Sequence, residues 1–515
     1  MLTNKRREFL YALSVFGPNI IFTMLMAYFT SAVDPRNLEV NKELWAWSQP
    51  NGSFDPIVFT AIFGILFTIS RIFDALITVP LASKLDGMKN KYTRLRLPIL
   101  IAIVPLTASV AALCIPLTLA PNSILNTFWF FGVLIVFFTA YTLAMVAFYS
   151  GLSSICKDRA QRARVSFFKS FIDTVQYALA YALIPLILST LAGTGLNIMH
   201  LILMSTPFIL TLFIPVLMSK GQKDTNLNTG ISSETEQEMS AKQEAPDNTP
   251  KIISSLKFVI TNKAFWPWML VVFIYYTGLQ LFLTMQNELI SGVLLLTPQY
   301  AALLNAAAFG PVPIMLYFYN KIMKKKGIRF ALQVSLLSFA AGILCFSLGS
   351  GLFLPNSILP RIIINAIGAT TSSFSIGAFF MMVLMIPSQV AAVELKVVKR
   401  RNSVMYFAGQ GIVIGTAGAI ATGILATTLR SLDKIYVNTA MIGADGIMYD
   451  NIPLGGFIAP FIVAFLSFVA FCAAFLMPKS YDTKTIGKIF DSNYIPDKED
   501  LADSEIIKKS DGIRG

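Results

Sequence analysis

The chain has 515 residues, a formal net charge of +13, 55% hydrophobic residues and 13% charged ones. A mean hydropathy of +0.65 is too high for a water-soluble globule. The basic surplus does not point to nucleic acid, because the cations gather in short clusters between apolar runs.

A helix needs about 20 apolar residues to cross a bilayer core. Twelve stretches qualify: 9–33, 55–83, 97–119, 125–149, 167–192, 198–218, 265–290, 299–320, 330–350, 357–385, 403–427 and 453–477. Lipid offers no partners to unpaired backbone groups, so each should be a helix; barrel strands would alternate, and these runs do not. The expected fold is all-α: a polytopic membrane protein with twelve transmembrane helices in two six-helix bundles. The first run is too long for a signal-peptide core and stays as a helix.

Charge placement orients the chain. Lys5, Arg6 and Arg7 precede the first span; Lys84, Lys89, Lys91, Arg94 and Arg96 follow the second. Lys157, Arg159, Arg162 and Arg164 follow the fourth, Lys321, Lys324, Lys325, Lys326 and Arg329 the eighth, and Lys396, Lys399, Arg400 and Arg401 the tenth. The alternate loops hold few cations, so both termini and the 219–264 loop are expected in the cytoplasm. The expected organisation is a first bundle at 1–218, a linker at 219–264, a second bundle at 265–480 and a tail at 481–515. The polar stretch 219–250 cannot bury a core. "SSLKFVITNKAFWPWML" predicts a short amphipathic surface helix, and the tail predicts loose chain. Two outward loops, 34–54 and 428–452, are longer. Cys114, Cys345 and Cys472 lie within spans and Cys156 at an inner helix end, so no disulfide is implied. His200 is expected at the membrane interface.

Two similar halves joined by a linker are the layout of secondary transporters, with the solute site between the halves. No GxxxxGK[ST] loop is present, which speaks against an ATP-driven pump. One histidine and no clustered acids leave no constellation for an enzyme.

Within the spans ionisable residues are few: Arg71 and Asp74, Lys169 and Asp173, Glu288 and Arg361. A charge at a helix centre costs about 2.5–3.5 kcal/mol, so each calls for a partner or a watery cavity. Arg71–Asp74 (i,i+3) and Lys169–Asp173 (i,i+4) can each share a helix face. Either each pair neutralises itself, or Asp74 binds or exchanges a coupling cation, with Thr78 one turn on adding a neutral oxygen. Other polar groups lie on candidate cavity helices. "FGPN" breaks the first span at Gly17–Pro18 and presents Asn19; "NAIGATTSSFSIGAFF" (365–380), "MQNE" (285–288) and "MYFAGQG" (405–411) add hydroxyls and amides. Such groups beside aromatic faces suit a polyhydroxylated solute.

Three stretches carry a family resemblance. "RIFDALITVPLASKLDGMKNKYTRLRLP" supplies Arg71, Ile72, Asp74, Ala75, Pro80, Asp86, Arg94, Arg96 and Pro98. "YTLAMVAFYSGLSSICKDRAQR" supplies Tyr141, Thr142, Phe148, Tyr149, Ser150, Asp158, Arg159 and Arg162. "QVAAVELKVVKRRNSVMYFAG" supplies Glu394, Lys396, Arg400, Arg401 and Tyr406. Together they resemble the glycoside–pentoside–hexuronide:cation symporters, the melibiose permease group of the major facilitator superfamily. The resemblance implies the major facilitator fold, with Asp74 and Thr142 at cation-site positions. It implies Asn19, Tyr141, Tyr149 and Gln410 at sugar-site positions, Lys169 within one residue of a sugar-holding Arg, and Phe379 or Phe380 near a Trp. Asp86, Arg94, Arg96, Glu394, Arg400 and Arg401 would form a cytoplasmic gate. The chain departs from the family at Thr78, Asn19, Met145 and near Ile414 or Gly415, where charged residues are missing, and at Ser388 and Ala391.

The resulting expectation is a secondary active transporter of a small polar solute, a sugar or sugar derivative, working by alternating access. A proton needs one carboxylate whereas Na⁺ favours several, so H⁺ coupling is preferred over Na⁺. No cofactor is expected beyond that ion. The expected partners are a small-molecule substrate and the lipid bilayer, without nucleic acid, and the chain is expected to be a monomer in the plasma membrane. Two alternatives stand: a transporter of amphipathic solutes, lipids or drugs, and a non-transporting sensor or scaffold.

Overall fold

The structure, a computed structural model, describes residues 4–35, 42–86, 91–155, 159–191, 194–220, 252–350, 353–354, 357–398, 403–432, 435–444, 446, 448–492 and 494. Among them are twelve helices long and apolar enough to cross a membrane: Lys5–Thr30, Ile62–Leu85, Leu95–Leu113, Ile124–Leu152, Arg164–Leu188, Ile198–Met218, Trp266–Gln286, Gln299–Lys326, Ile328–Leu348, Ile358–Val397, Val404–Leu429 and Leu454–Leu476. Six spans lie on either side of the segment 221–251, so residues 5, 218, 266 and 476 share one face of the bundle, the linker face. The first, seventh and tenth spans are the most enclosed, at 67%, 67% and 83% buried. The bundle's outer surface is apolar, with Ile65, Leu76, Val104 and Phe465 exposed, as the hydrocarbon of a bilayer requires.

The helices are interrupted where the sequence forces it. The break in the first span falls at Ser14–Val15, between helices Asn4–Leu13 and Phe16–Val33, rather than at Gly17–Pro18. Pro18 lacks an N–H and its ring would strike the carbonyl four residues back, so the helix yields one turn upstream. Gly17 then lies flat against the sixth span; a Cβ there would stand 1.7 Å from the Phe208 carbonyl oxygen. In the fifth span the wide turn Leu179–Leu183 precedes Pro185, and similar turns occur at Leu289–Val293 and Ile420–Leu425. Extra-residue turns of this kind loosen a helix locally and cluster at functional sites.

Three further differences from expectation stand out. The loop between the last two spans carries a β-hairpin, β1 (Tyr436–Ile442) and β2 (Met448–Pro453), antiparallel with an irregularity between Asn438 and Met441. It is fastened to the bundle: Ala444 N donates to Leu295 O at 2.9 Å, and buried Arg361 donates to Ile442 O (2.5 Å), Leu294 O (3.3 Å) and Ser357 O (3.3 Å). The tail is not loose throughout. Helix Thr483–Phe490, capped by Asp482 through the Thr485 amide, buries Ile486 and packs on the tenth span. The tenth span itself runs to Val397, twelve residues past the apolar run read from sequence. At the linker face Arg164 grips Glu8 with two hydrogen bonds of 2.8 and 2.9 Å, tying the fifth span to the first. His200 caps its own helix with Asn197.

Candidate functional site

A cavity of about 210 Å³ opens between the halves, walled by spans 1, 2, 4 and 5 on one side and spans 7, 10 and 11 on the other. Its charged groups all come from the first half. On span 2, Arg71 and Asp74 are one helical turn apart, and Arg71 Nη1 lies 3.3 Å from Asp74 Oδ2. The other carboxylate oxygen accepts the Thr142 hydroxyl from span 4. The guanidinium is sandwiched by Phe22 and Phe138, 5.1 and 4.9 Å from the ring centroids. Cation–π attraction therefore adds to the ion pair in holding Arg71. Thr78 lines the cavity, but its hydroxyl donates to the Asp74 backbone carbonyl at 2.9 Å.

The second pair lies on span 5, with Lys169 Nζ 2.5 Å from Asp173 Oδ2. Asp173 also accepts from Asn19 Nδ2 (3.3 Å), and Asn19 Oδ1 accepts the Tyr141 hydroxyl (3.0 Å). Gln176 ties the fifth span to the first, donating to Asn19 O (2.9 Å) and Thr23 Oγ1 (2.5 Å). Tyr141 stacks on Phe22 at 4.5 Å, so the two ion pairs belong to one continuous network. Each cation has its own carboxylate, and each carboxylate a neutral donor as well.

The opposite wall is uncharged. Tyr276 and Phe379 stack at 6.1 Å, and Phe380 stacks across the halves on Tyr177 at 5.0 Å. Towards the linker face Tyr149 and Phe407 lie parallel, 4.6 Å apart. Towards the hairpin the halves meet through Asn305, which donates to Tyr181 O at 2.9 Å and accepts from Gln286. Pro185 has removed the usual helical donor to that carbonyl, so an amide from the other half takes its place. Between these ends spans 2 and 11 touch along a glycine seam: a Cβ on Gly415 would lie 2.7 Å from Ala75 Cβ, and one on Gly423 2.5 Å from Thr68 Oγ1.

Asn19, Arg71, Asp74, Thr78, Tyr141, Thr142, Tyr149, Lys169, Asp173, Phe379 and Gln410, scattered over 391 sequence positions, therefore share one cavity. Gln410 is less available than its type suggests, because its oxygen accepts from Trp268 Nε1 (2.7 Å) and its nitrogen donates to Val383 O (2.9 Å). Phe22, Gln176, Tyr177, Tyr276 and Phe407 were not anticipated, and Phe380, the alternative to Phe379, lines the cavity as well. Gln176 had a signal, an amide in an apolar run three residues after Asp173; the aromatics had none. The hydroxyl run of the tenth span mostly serves packing: Ser372 bonds its own helix and Ser375 meets the Tyr275 hydroxyl at 3.0 Å. Glu288 and Arg361 do not line the cavity. Of the gate residues, Glu394 is fully buried beside Tyr406, whose hydroxyl accepts from Asn262 at 2.6 Å, and Arg96 is half-buried. The side chains of Asp86 and Arg94, and the whole of Arg400 and Arg401, lie outside the described residues.

Twelve helices long and apolar enough to cross a membrane, set around a central polar cavity, are the build of a multi-pass membrane transporter. The profile of the family described as MFS/sugar transport protein matches residues 57–476, so the chain belongs to that family. Its fold is similar to the xylose transporter XylE from E. coli in a partially occluded inward-open conformation, with a TM-score of 0.56 at 13% identity, covering 91% of this chain and 95% of that one. No curated protein matches the sequence.

Proposed function

We propose that the protein carries a neutral sugar or sugar derivative by alternating access, coupled to H⁺, as a member of the glycoside–pentoside–hexuronide branch with both termini in the cytoplasm. One observation carries this reading: a single cavity with balanced ion pairs on one wall and aromatic rings on the other. A sugar ring has hydroxyls for the first wall and a C–H face for the second. Lys169 already has Asp173, and Arg71 has Asp74, so no cation lining the cavity is left over for a uronate. That favours a neutral solute.

Asp74 is the coupling group in this reading. A proton on it cancels the counter-charge of Arg71 while Phe22 and Phe138 keep the guanidinium in place. A proton needs one carboxylate whereas Na⁺ favours several, and the cavity's other carboxylate, Asp173, is engaged by Lys169 and Asn19, which supports H⁺ over Na⁺. In the same reading the gate residues implied by the resemblance, Asp86, Arg94, Arg96, Glu394, Arg400 and Arg401, close the inner side.

Uptake of labelled neutral sugars into proteoliposomes under imposed pH or Na⁺ gradients tests the reading. Accumulation should follow the pH gradient. Asp74→Asn should abolish accumulation yet retain exchange of solute across the membrane. Normal gradient-driven accumulation by that variant would refute the coupling role, and accumulation driven by Na⁺ alone would refute the ion.

A further inference from the structure

A basic corner at the linker face lies outside the transport cavity. The helix ending the eighth span finishes in Lys324, Lys325 and Lys326, all exposed. Gly327 turns the chain with φ of 88°, and its Cα is so close to the end of the twelfth span that a Cβ would lie 2.9 Å from Lys479 O. Arg329 seals the same junction, donating to the Phe475 and Met477 carbonyls at 3.3 and 3.4 Å. Beyond it the tail helix docks by Ile486 and holds Lys484 and Lys488, one turn apart, out to solvent. Two distant stretches of chain, joined at Gly327 and Arg329, thus bring their lysines to the same end of the bundle. Among the described residues their carboxylates are Asp482, committed to capping the tail helix, and Asp491.

The cations sit where the apolar outer surface ends. Phe330, Phe475, Leu476 and Ile489 are exposed next to them, and Lys326 Nζ stands 4.7 Å from the Phe330 ring centroid. Apolar groups that need acyl chains adjoin cations that need anions. Lysine stems reach along apolar surface while their heads stay at headgroup depth. We propose that this corner, formed by the ends of spans 8, 9 and 12 and the tail helix, binds the headgroup of an anionic glycerophospholipid of the surrounding leaflet.

The test uses the purified full chain in detergent micelles and measures no transport, so its outcome is independent of the proposed function. Phosphatidylglycerol, phosphatidylcholine or glycerol phosphate is added, and retained lipid is read by native mass spectrometry alongside the thermal midpoint. Phosphatidylglycerol should be retained and raise the midpoint; the other two should not at the same concentration. The variant K325Q/K326Q/K484Q/K488Q should retain phosphatidylglycerol about tenfold less well, with an unchanged midpoint in phosphatidylcholine. Should that variant not fold, wild type at high salt replaces it, since screening should remove the preference. Equal retention of the two lipids, full retention by the variant, a preference that survives high salt, or the same effect from glycerol phosphate would overturn the proposal.

Discussion

Replacing Gly415 by alanine puts a methyl group where spans 2 and 11 leave no room for one. The new carbon would meet Ala75 Cβ at 2.7 Å. Carbon pairs rest at about 3.5–4.0 Å, so the two helices must part by roughly 1 Å at this point. Overpacking of this kind costs about 1–3 kcal/mol. The cost falls on the conformation described here and not on one in which the seam has opened. The population ratio of the two should therefore move by about 5- to 150-fold towards the open seam. Spin labels at Ile65 and Ile424, both exposed on the lipid side, report the separation by electron–electron distance measurement after the four cysteines are replaced by serine. G415A should add a longer-distance population. A75G/G415A should remove it, because the second change deletes the partner methyl. A folded G415A protein with an unchanged distance distribution would refute the claim that the seam holds the halves in this state.

Three other outcomes follow from the polar contacts. Lys169→Met should strand Asp173 without its cation and destabilise the protein by about 3–5 kcal/mol; K169M/D173N should recover most of that loss in a thermal unfolding assay. Asn305→Leu removes the amide linking Gln286 to the Tyr181 carbonyl, at a cost of about 1–3 kcal/mol. It should speed labelling of a cysteine placed at Tyr276 by an impermeant maleimide added from the hairpin side. Arg361→Met deletes three hydrogen bonds to carbonyls, and a loss of about 3 kcal/mol or more should show as a lower thermal midpoint and faster protease cleavage between β1 and β2.

The spans were legible because bilayer thickness imposes a length and a composition on each of them. The ion pairs were legible for a related reason: Arg71, Asp74, Lys169 and Asp173 are costly where they stand, and costly residues are conspicuous in apolar runs. Phe22, Tyr276 and Phe407 are not, because an aromatic facing the cavity and one facing lipid look alike in sequence. The hairpin had a local signal in "IGADGI", a turn-forming pair between β-prone residues. Its membership of a long outward loop obscured that signal. Gln410 shows what sequence leaves out: it lines the cavity, at the sugar-site position the resemblance implies, while Trp268 and the Val383 carbonyl, from other helices, engage both ends of its amide.

The division of labour across the cavity bears on how such a protein can diverge. With every lining charge on spans 2 and 5, exchanging Tyr276, Phe379 or Phe380 reshapes one wall of the cavity and leaves the charges opposite in place. Under the proposed function, a lineage thus acquires a new cargo by drift in a few rings while the residues assigned to coupling stay as inherited.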